Sequence, residues 1–355
     1  MEEKKILLSV KDLEVKFKVR ERTLTAIRNI SFDFEEGKVV AIVGESGSGK
    51  SVFTKTFTGM LEVNGTISNG EIWFDGENLV EKKTDKDWEN IRGKKIAMVF
   101  QDPMSSLNPI LTIGDQISEV IIKHRGLSKE EAKKETIYLM ERVGIANAAN
   151  RYDEFPFQYS GGMRQRIVIA IALACRPKVL ICDEPTTALD VTIQAQIIRL
   201  IKELSEEFNF TTIYITHDLG VVANVADTVA VMYAGQIIEY GSVEEIFYDP
   251  KHPYTWGLLS SLPQLGTKGD NLFAIRGTPP SLFQEIKGDA FAMRSEYAMK
   301  IDFEEQPPFF KVTDTHYAKT WLLDERAPKI EPPEAIRNLH ERLLNVTRQG
   351  GTEND

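Results

Sequence analysis

KVVAIVGESGSGKSVFTKTF, residues 38–57, sets an apolar β-branched run before a glycine-rich loop and a helix-like segment. Val39 to Val43 show no polar alternation, the texture of a strand buried on both faces of a parallel sheet. The loop Gly44–Ser51 reads G-x-x-x-x-G-K-S, a pattern whose chance odds in a chain this long are on the order of 1%. Gly44, Gly47 and Gly49 let the backbone curl so that its N–H groups converge on phosphate oxygens. Lys50 is placed to neutralise β- and γ-phosphates, and the Ser51 hydroxyl to ligate Mg²⁺. A strand before the loop and a helix after it are the context this chemistry requires.

Working outward, KKIAMVFQ, PKVLICDEP and TTIYITHD share the buried-strand texture. LEVKFKV alternates apolar Leu13, Val15, Phe17 and Val19 with charged residues, a half-buried strand. VADTVAVMYAGQIIEYG predicts closing strands around a turn at Ala234–Gly235. Between Gln101 and Arg176, ILTIGDQISEVIIKH, KEEAKKETIYLMERVGI and GGMRQRIVIAIALA place apolar residues at three- and four-residue steps, so three helices interrupt the α/β core. After Ile246 the pattern weakens and prolines multiply. Residues 251–355 are expected to form a smaller, turn-rich extension ending in a disordered tail, RQGGTEND.

A formal net charge of −10 argues against a nucleic-acid partner, which would favour a concentrated basic face. Cys175 and Cys182 both lie in apolar runs and are expected to be buried, reduced thiols of a reducing cytoplasm. No run approaches the ~20 apolar residues that span a bilayer. MEEKKILLSV lacks a long apolar core and a cleavage site, so no signal peptide is expected.

VLICDEP ends an apolar strand in two carboxylates. Asp183 suits Mg²⁺ through water, and Glu184 is placed to polarise a water for attack on a γ-phosphate. Coupled to the phosphate loop, the pair predicts a nucleotide hydrolase. The guanine-specifying N-K-x-D pattern is missing from the sequence, which favours ATP over GTP.

In order, GESGSGKS, FQDPMSSLNP, YSGGMRQR, VLICDEPTTALD and ITHD resemble the nucleotide-binding subunit of an ATP-binding cassette transporter, over residues from about 5 to 250. The fold this implies is α/β: a P-loop NTPase (RecA-like) core in residues 1–250, an antiparallel β subdomain, an inserted helical subdomain at about 102–175, and the small C-terminal extension. The ATP-binding set it implies is Gly44, Glu45, Ser46, Gly47, Ser48, Gly49, Lys50, Ser51 and Val52, with Phe17 stacked on adenine and Gln101 reaching both Mg²⁺ and the transmembrane partner. The implied catalytic residues are Glu184, Lys50 and the switch residue His217; Asp190 ends the D-loop.

Ser160, Gly161, Gly162 and Met163 are the implied signature, Met163 standing where many relatives have glutamine. Their physics agrees. Ser160 is a good N-cap, glycines leave first-turn N–H groups unshielded, and the helix dipole favours an anion. One chain cannot fold its helical insert around its own phosphate loop. In the family two cassettes pair head to tail, and each signature closes on ATP held by the other.

FQDPMSSLNP, DPKHPYTWGLLSSLP and IRGTPPSL resemble the oligopeptide/dipeptide permease branch, to about residue 325. That resemblance implies ATP-driven peptide import by a peripheral protein on the cytoplasmic face of the membrane. The implied partners are a related, non-identical second cassette, two transmembrane permease subunits and an extracellular solute-binding protein. Alternatives are another solute of the same branch (nickel, glutathione), or a soluble cassette ATPase acting on nucleic acid or ribosomes. Many branch members carry four C-terminal cysteines resembling an iron–sulfur ligand set. The corresponding stretch here, GDAFAMRSEYAMKIDF through HYAKTWLL, has none, so no cluster is expected.

Overall fold

The structure, a computed structural model, describes residues 5–100, 106–186, 189–261 and 275–337. Twelve strands occur among the described residues: β1 (Ile6–Val19), β2 (Arg22–Glu35), β3 (Val39–Val43), β4 (Gly65–Phe74), β5 (Glu77–Asn78), β6 (Ile96–Val99), β7 (Val179–Asp183), β8 (Thr211–Thr216), β9 (Thr228–Tyr233), β10 (Gln236–Ser242), β11 (Phe310–Lys311) and β12 (Tyr317–Ala318). They form two sheets, ordered β11-β12-β10-β9-β3-β8-β7-β6 and β2-β1-β4-β5.

In the larger sheet β6, β7, β8, β3 and β9 run parallel. Every residue of β3 and β8 is buried, which explains their unbroken apolar and threonine texture. β9 and β10 close as an antiparallel pair through a two-residue turn with positive φ at both Ala234 (45°) and Gly235 (78°). The smaller sheet is antiparallel throughout. Its inner residues, including Leu13, Val15 and Phe34, pack with Phe53 and Phe57 behind the phosphate loop.

The helical insert follows its caps. Thr112 starts helix Ile113–Arg125, which Gly126 ends at φ 68°, and a Ser128–Glu131 capping box starts helix Lys129–Arg142. Ser160 starts helix Gly161–Leu173. Their apolar faces, among them Ile117, Leu139 and Ile169, share one core with helix Val191–Phe208. At about 1.5–3 kcal/mol for each fully buried side chain, this shared core is what anchors the insert to the sheet.

The region after residue 250 is built onto the preceding α/β unit. β12 pairs with β10 and β11 with β12, lengthening the large sheet. Glu239 of β10 is fully buried and accepts from the Lys251 and His252 amides (2.6 and 3.0 Å), with His316 Nε2 at 2.8 Å. Helix Pro253–Ser260 buries Tyr254, Trp256 and Leu259 in a core shared with Val43, Tyr233 and Phe291. The predicted tail and Gln101 lie outside the described residues. Both cysteines are free; Cys182 is buried as expected, whereas Cys175 is partly exposed. Among the described residues no helix is long and apolar enough to cross a membrane.

Candidate active site

β3 delivers the phosphate loop, whose residue Gly49 (φ 104°) is the N-cap of helix Lys50–Lys55. Gly44 has φ 153°, and a Cβ there would lie 2.1 Å from the Met232 carbonyl oxygen on β9. Glycine is needed because the loop presses against backbone that two strand ladders pin. The largely buried Lys50 donates from Nζ to the carbonyls of Gly44 (2.8 Å) and Glu45 (3.0 Å). Burial pushes its ammonium pKa down, opposed by the charges of Glu184, Asp183 and Glu45.

β7 brings the carboxylates beneath this loop. Ser51 Oγ donates to Asp183 Oδ1 at 3.0 Å. Burial pushes the Asp183 carboxyl up, Ser51 and Lys50 oppose that rise, and Glu184 adds to it. A desolvated carboxylate beside a hydroxyl is a donor pair that fits a small hard cation such as Mg²⁺. Among the described residues no three His, Cys, Asp or Glu side chains gather to hold a metal ion. A cation at Ser51 and Asp183 would fill its remaining positions with waters and phosphate oxygens.

Glu184 sits at φ 46°, a left-handed conformation uncommon for a non-glycine residue and concentrated at functional sites. Its amide donates to the Ile215 carbonyl (3.0 Å) on β8, the strand that carries His217 just beyond its end. Glu184 Oε1 and His217 Nδ1 are 3.1 Å apart.

A cleft of about 660 Å³ gathers Phe17, Ser46, Gly47, Gly49, Lys50, Ser51, Val52, Asp183 and Glu184. Phe17 is buried; its ring packs so closely on Gly65 that a Cβ there would come within 2.6 Å. Glu45 and Ser48 line a smaller adjoining cavity, with Tyr233 and Ala234. Sequence reasoning missed Val19, Leu24, Ala26, Glu62, Asn64 and Leu282 in the cleft wall. Leu282 was the hardest to foresee, because it comes from the C-terminal extension. A larger cavity, about 800 Å³ beside Phe32, Tyr240 and Tyr317, includes none of the predicted site residues.

The signature stands apart. Ser160 Oγ accepts the Met163 amide (3.4 Å), Ser160 and Gly161 are exposed, and none of the four residues lines the cleft. A Cβ on Gly162 would meet Ile193 at 2.7 Å, so glycine allows helices Gly161–Leu173 and Val191–Phe208 to approach there. Asp190 N-caps the latter helix without a side-chain capping bond and is exposed.

A parallel sheet with a phosphate loop after one strand and adjacent carboxylates after another defines a P-loop nucleotide hydrolase. A family model described as "ABC transporter" matches residues 27–187, and one described as "Oligopeptide/dipeptide transporter, C-terminal region" matches residues 238–301. The chain is 65% identical over 341 residues to the oligopeptide transport ATP-binding protein AmiE of Streptococcus pneumoniae, covering 96% of each chain. It is 58% identical to the oligopeptide transport ATP-binding protein OppD of Bacillus subtilis, over 96% of this chain and 95% of that one. The dimeric post-hydrolysis cassette MJ0796, bound to ADP and Pi, superposes with a TM-score of 0.59 at 29% identity, covering 66% of this chain and 98% of that one. The chain belongs to the ABC transporter family, in its oligopeptide/dipeptide branch, and is an ATP-binding cassette ATPase.

Proposed function

We propose that this chain hydrolyses ATP to energise peptide import through a membrane permease. The observation that carries the reading is the convergence of Lys50, Ser51, Asp183 and Glu184 on one cleft, with His217 joined to it through Glu184 and the signature exposed outside it. The peptide comes from the relatives' names, oligopeptide and dipeptide transport ATP-binding proteins.

The loop amides and Lys50 bind the triphosphate, and Phe17 stacks on the base. Ser51 and Asp183, with Gln101 carried over from the family pattern, would hold Mg²⁺, which would offset phosphate charge. Glu184 orients the attacking water and accepts its proton; His217 fixes the Glu184 carboxylate and faces the γ-phosphate. Ser160, Gly161, Gly162 and Met163 serve the partner's ATP. The first turn of a thirteen-residue helix, exposed at Ser160 and Gly161, offers N–H groups and a positive dipole end to an anion from outside the chain. Two cassettes closed head to tail exclude water from both sites, and closure moves the permease.

The partners in this reading are a related second cassette, two transmembrane permease subunits and an extracellular solute-binding protein, with this chain peripheral on the cytoplasmic face. The test is steady-state hydrolysis by the assembled transporter carrying Glu184→Gln. ATP binding persists and this site's turnover stops. Unimpaired turnover at this site, with the partner's site disabled, would remove Glu184 from the role of base.

A further inference from the structure

The phosphate loop is gripped by the C-terminal extension. Arg294, its side chain 4% exposed, forms a two-pronged ion pair with Glu45 inside the loop: Nη1 to Oε2 at 2.7 Å and Nη2 to Oε1 at 3.0 Å. Its remaining donors are also engaged. Nε donates to the Arg276 carbonyl (2.9 Å), Nη1 to Tyr233 Oη (3.2 Å) and Nη2 to the Ile275 carbonyl (3.4 Å). All five guanidinium N–H groups therefore have partners, a pattern that lysine, with three donors on one nitrogen, cannot reproduce. The Glu45 amide meanwhile donates to Tyr254 Oη (2.8 Å), a buried hydroxyl of the same extension.

Glu45 is thus fixed by both its carboxylate and its backbone, and it stays out of the cleft lining. The extension also reaches the cleft's other wall. The Thr25 amide on β2 donates to the Leu282 carbonyl at 3.0 Å, and Leu282 lines the cleft near Phe17. A carboxylate within a triphosphate-binding loop repels its ligand unless a fixed cation neutralises it.

We propose that Arg294 is a positioning residue for ATP: it holds Glu45 outside the cleft and cancels its charge, so that the extension completes the nucleotide site. This deepens the proposed ATPase reading and rests on it. The experiment is equilibrium titration of the full-length chain with ATP, alongside a thermal melt. Wild type, Arg294→Met and Arg294→Met with Glu45→Gln are compared.

Arg294→Met weakens ATP binding about tenfold. Adding Glu45→Gln recovers most of that loss, because the uncompensated carboxylate has been removed. A purely structural Arg294 would instead give affinity changes that only track the melting temperature, falling and recovering with it, because removing the unpaired carboxylate also relieves the fold; that outcome overturns the proposal. Wild-type affinity in Arg294→Met, or a double variant no better than the single one, overturns the proposal. Should Arg294→Met fail to fold, Arg294→Lys keeps the charge but loses the fork. About threefold weaker binding is then expected, and wild-type affinity overturns the proposal. A wild-type chain that does not bind ATP in the same titration would instead remove the ATPase reading itself.

Discussion

Gly44→Ala tests the geometry of the phosphate loop. The added Cβ would stand 2.1 Å from the Met232 carbonyl oxygen, where carbon–oxygen contacts relax only at about 3.3 Å. Something must move by roughly 1.2 Å, the difference between those two distances. Met232 cannot yield: it is fully buried, β9 pairs with β3 on one side, and Met232 itself is in register with Ile237 of β10 on the other. The loop moves instead, and its N–H groups leave the 2.7–3.2 Å range that phosphate hydrogen bonds require. Hydrogen bonds to charged groups contribute about 1.5–3 kcal/mol each, so losing one weakens ATP by at least about tenfold and up to roughly 150-fold. Folding stability falls as well, by about 1–3 kcal/mol of steric strain. Gly93→Ala is the control: at φ 73°, with nothing within 4 Å of its Cβ and away from the cleft, it carries backbone strain alone. Isothermal titration of both variants with ATP, beside their thermal melts, separates the two. Equal losses, or ATP affinity in Gly44→Ala within about threefold of wild type, would refute the close-approach reasoning.

Phe17→Leu keeps an apolar side chain in the core but removes the aromatic face. It should weaken ATP by the ~1–3 kcal/mol of base stacking while leaving inorganic triphosphate binding intact; equal losses for both ligands would exclude base stacking as its role. Asp289 predicts a pH dependence. Burial raises its carboxyl to about 7, against about 3.9 in an unfolded chain, and His252, 3.8 Å away, is held neutral by its own burial. The folded state binds the extra proton between those two values, so this residue's contribution to stability falls as pH rises through 4 to 7. Asp289→Asn should therefore gain melting temperature relative to wild type at pH 8 but not at pH 4. Parallel melting profiles across that range would count against this account.

Much of the cassette was legible because each element repeated its reason locally. β3, β6, β7 and β8 announce themselves as apolar runs since both their faces are covered, and the insert helices carry their own caps at Thr112, Ser128 and Ser160. Ser51, Asp183 and Glu184 could be grouped because phosphate chemistry requires them together, although β7 lies far from the loop in sequence. Other features depend on tertiary contact alone. β11 and β12 are two residues each, too short for any period to show. β4 contains Gly65 and Gly70, and its pairing with β1 shifts register between Lys11 and Glu14, which hides its alternation. The Arg294–Glu45 pair joins residues 249 positions apart. Nothing local distinguishes that arginine from a solvated one.

In the proposed function each ATP site is finished by a second cassette, since Ser160 is exposed and absent from its own chain's cleft. Its most direct test is ATP hydrolysis per chain as this chain is titrated with the second cassette of its transporter, with complex formation followed by light scattering, for wild type and Ser160→Arg. Wild-type turnover per chain should rise with pairing, whereas Ser160→Arg should bind ATP yet fail to support hydrolysis in its partner's site. Full-rate hydrolysis by a strictly monomeric chain, independent of the second cassette and unaffected by Ser160→Arg, would contradict the account.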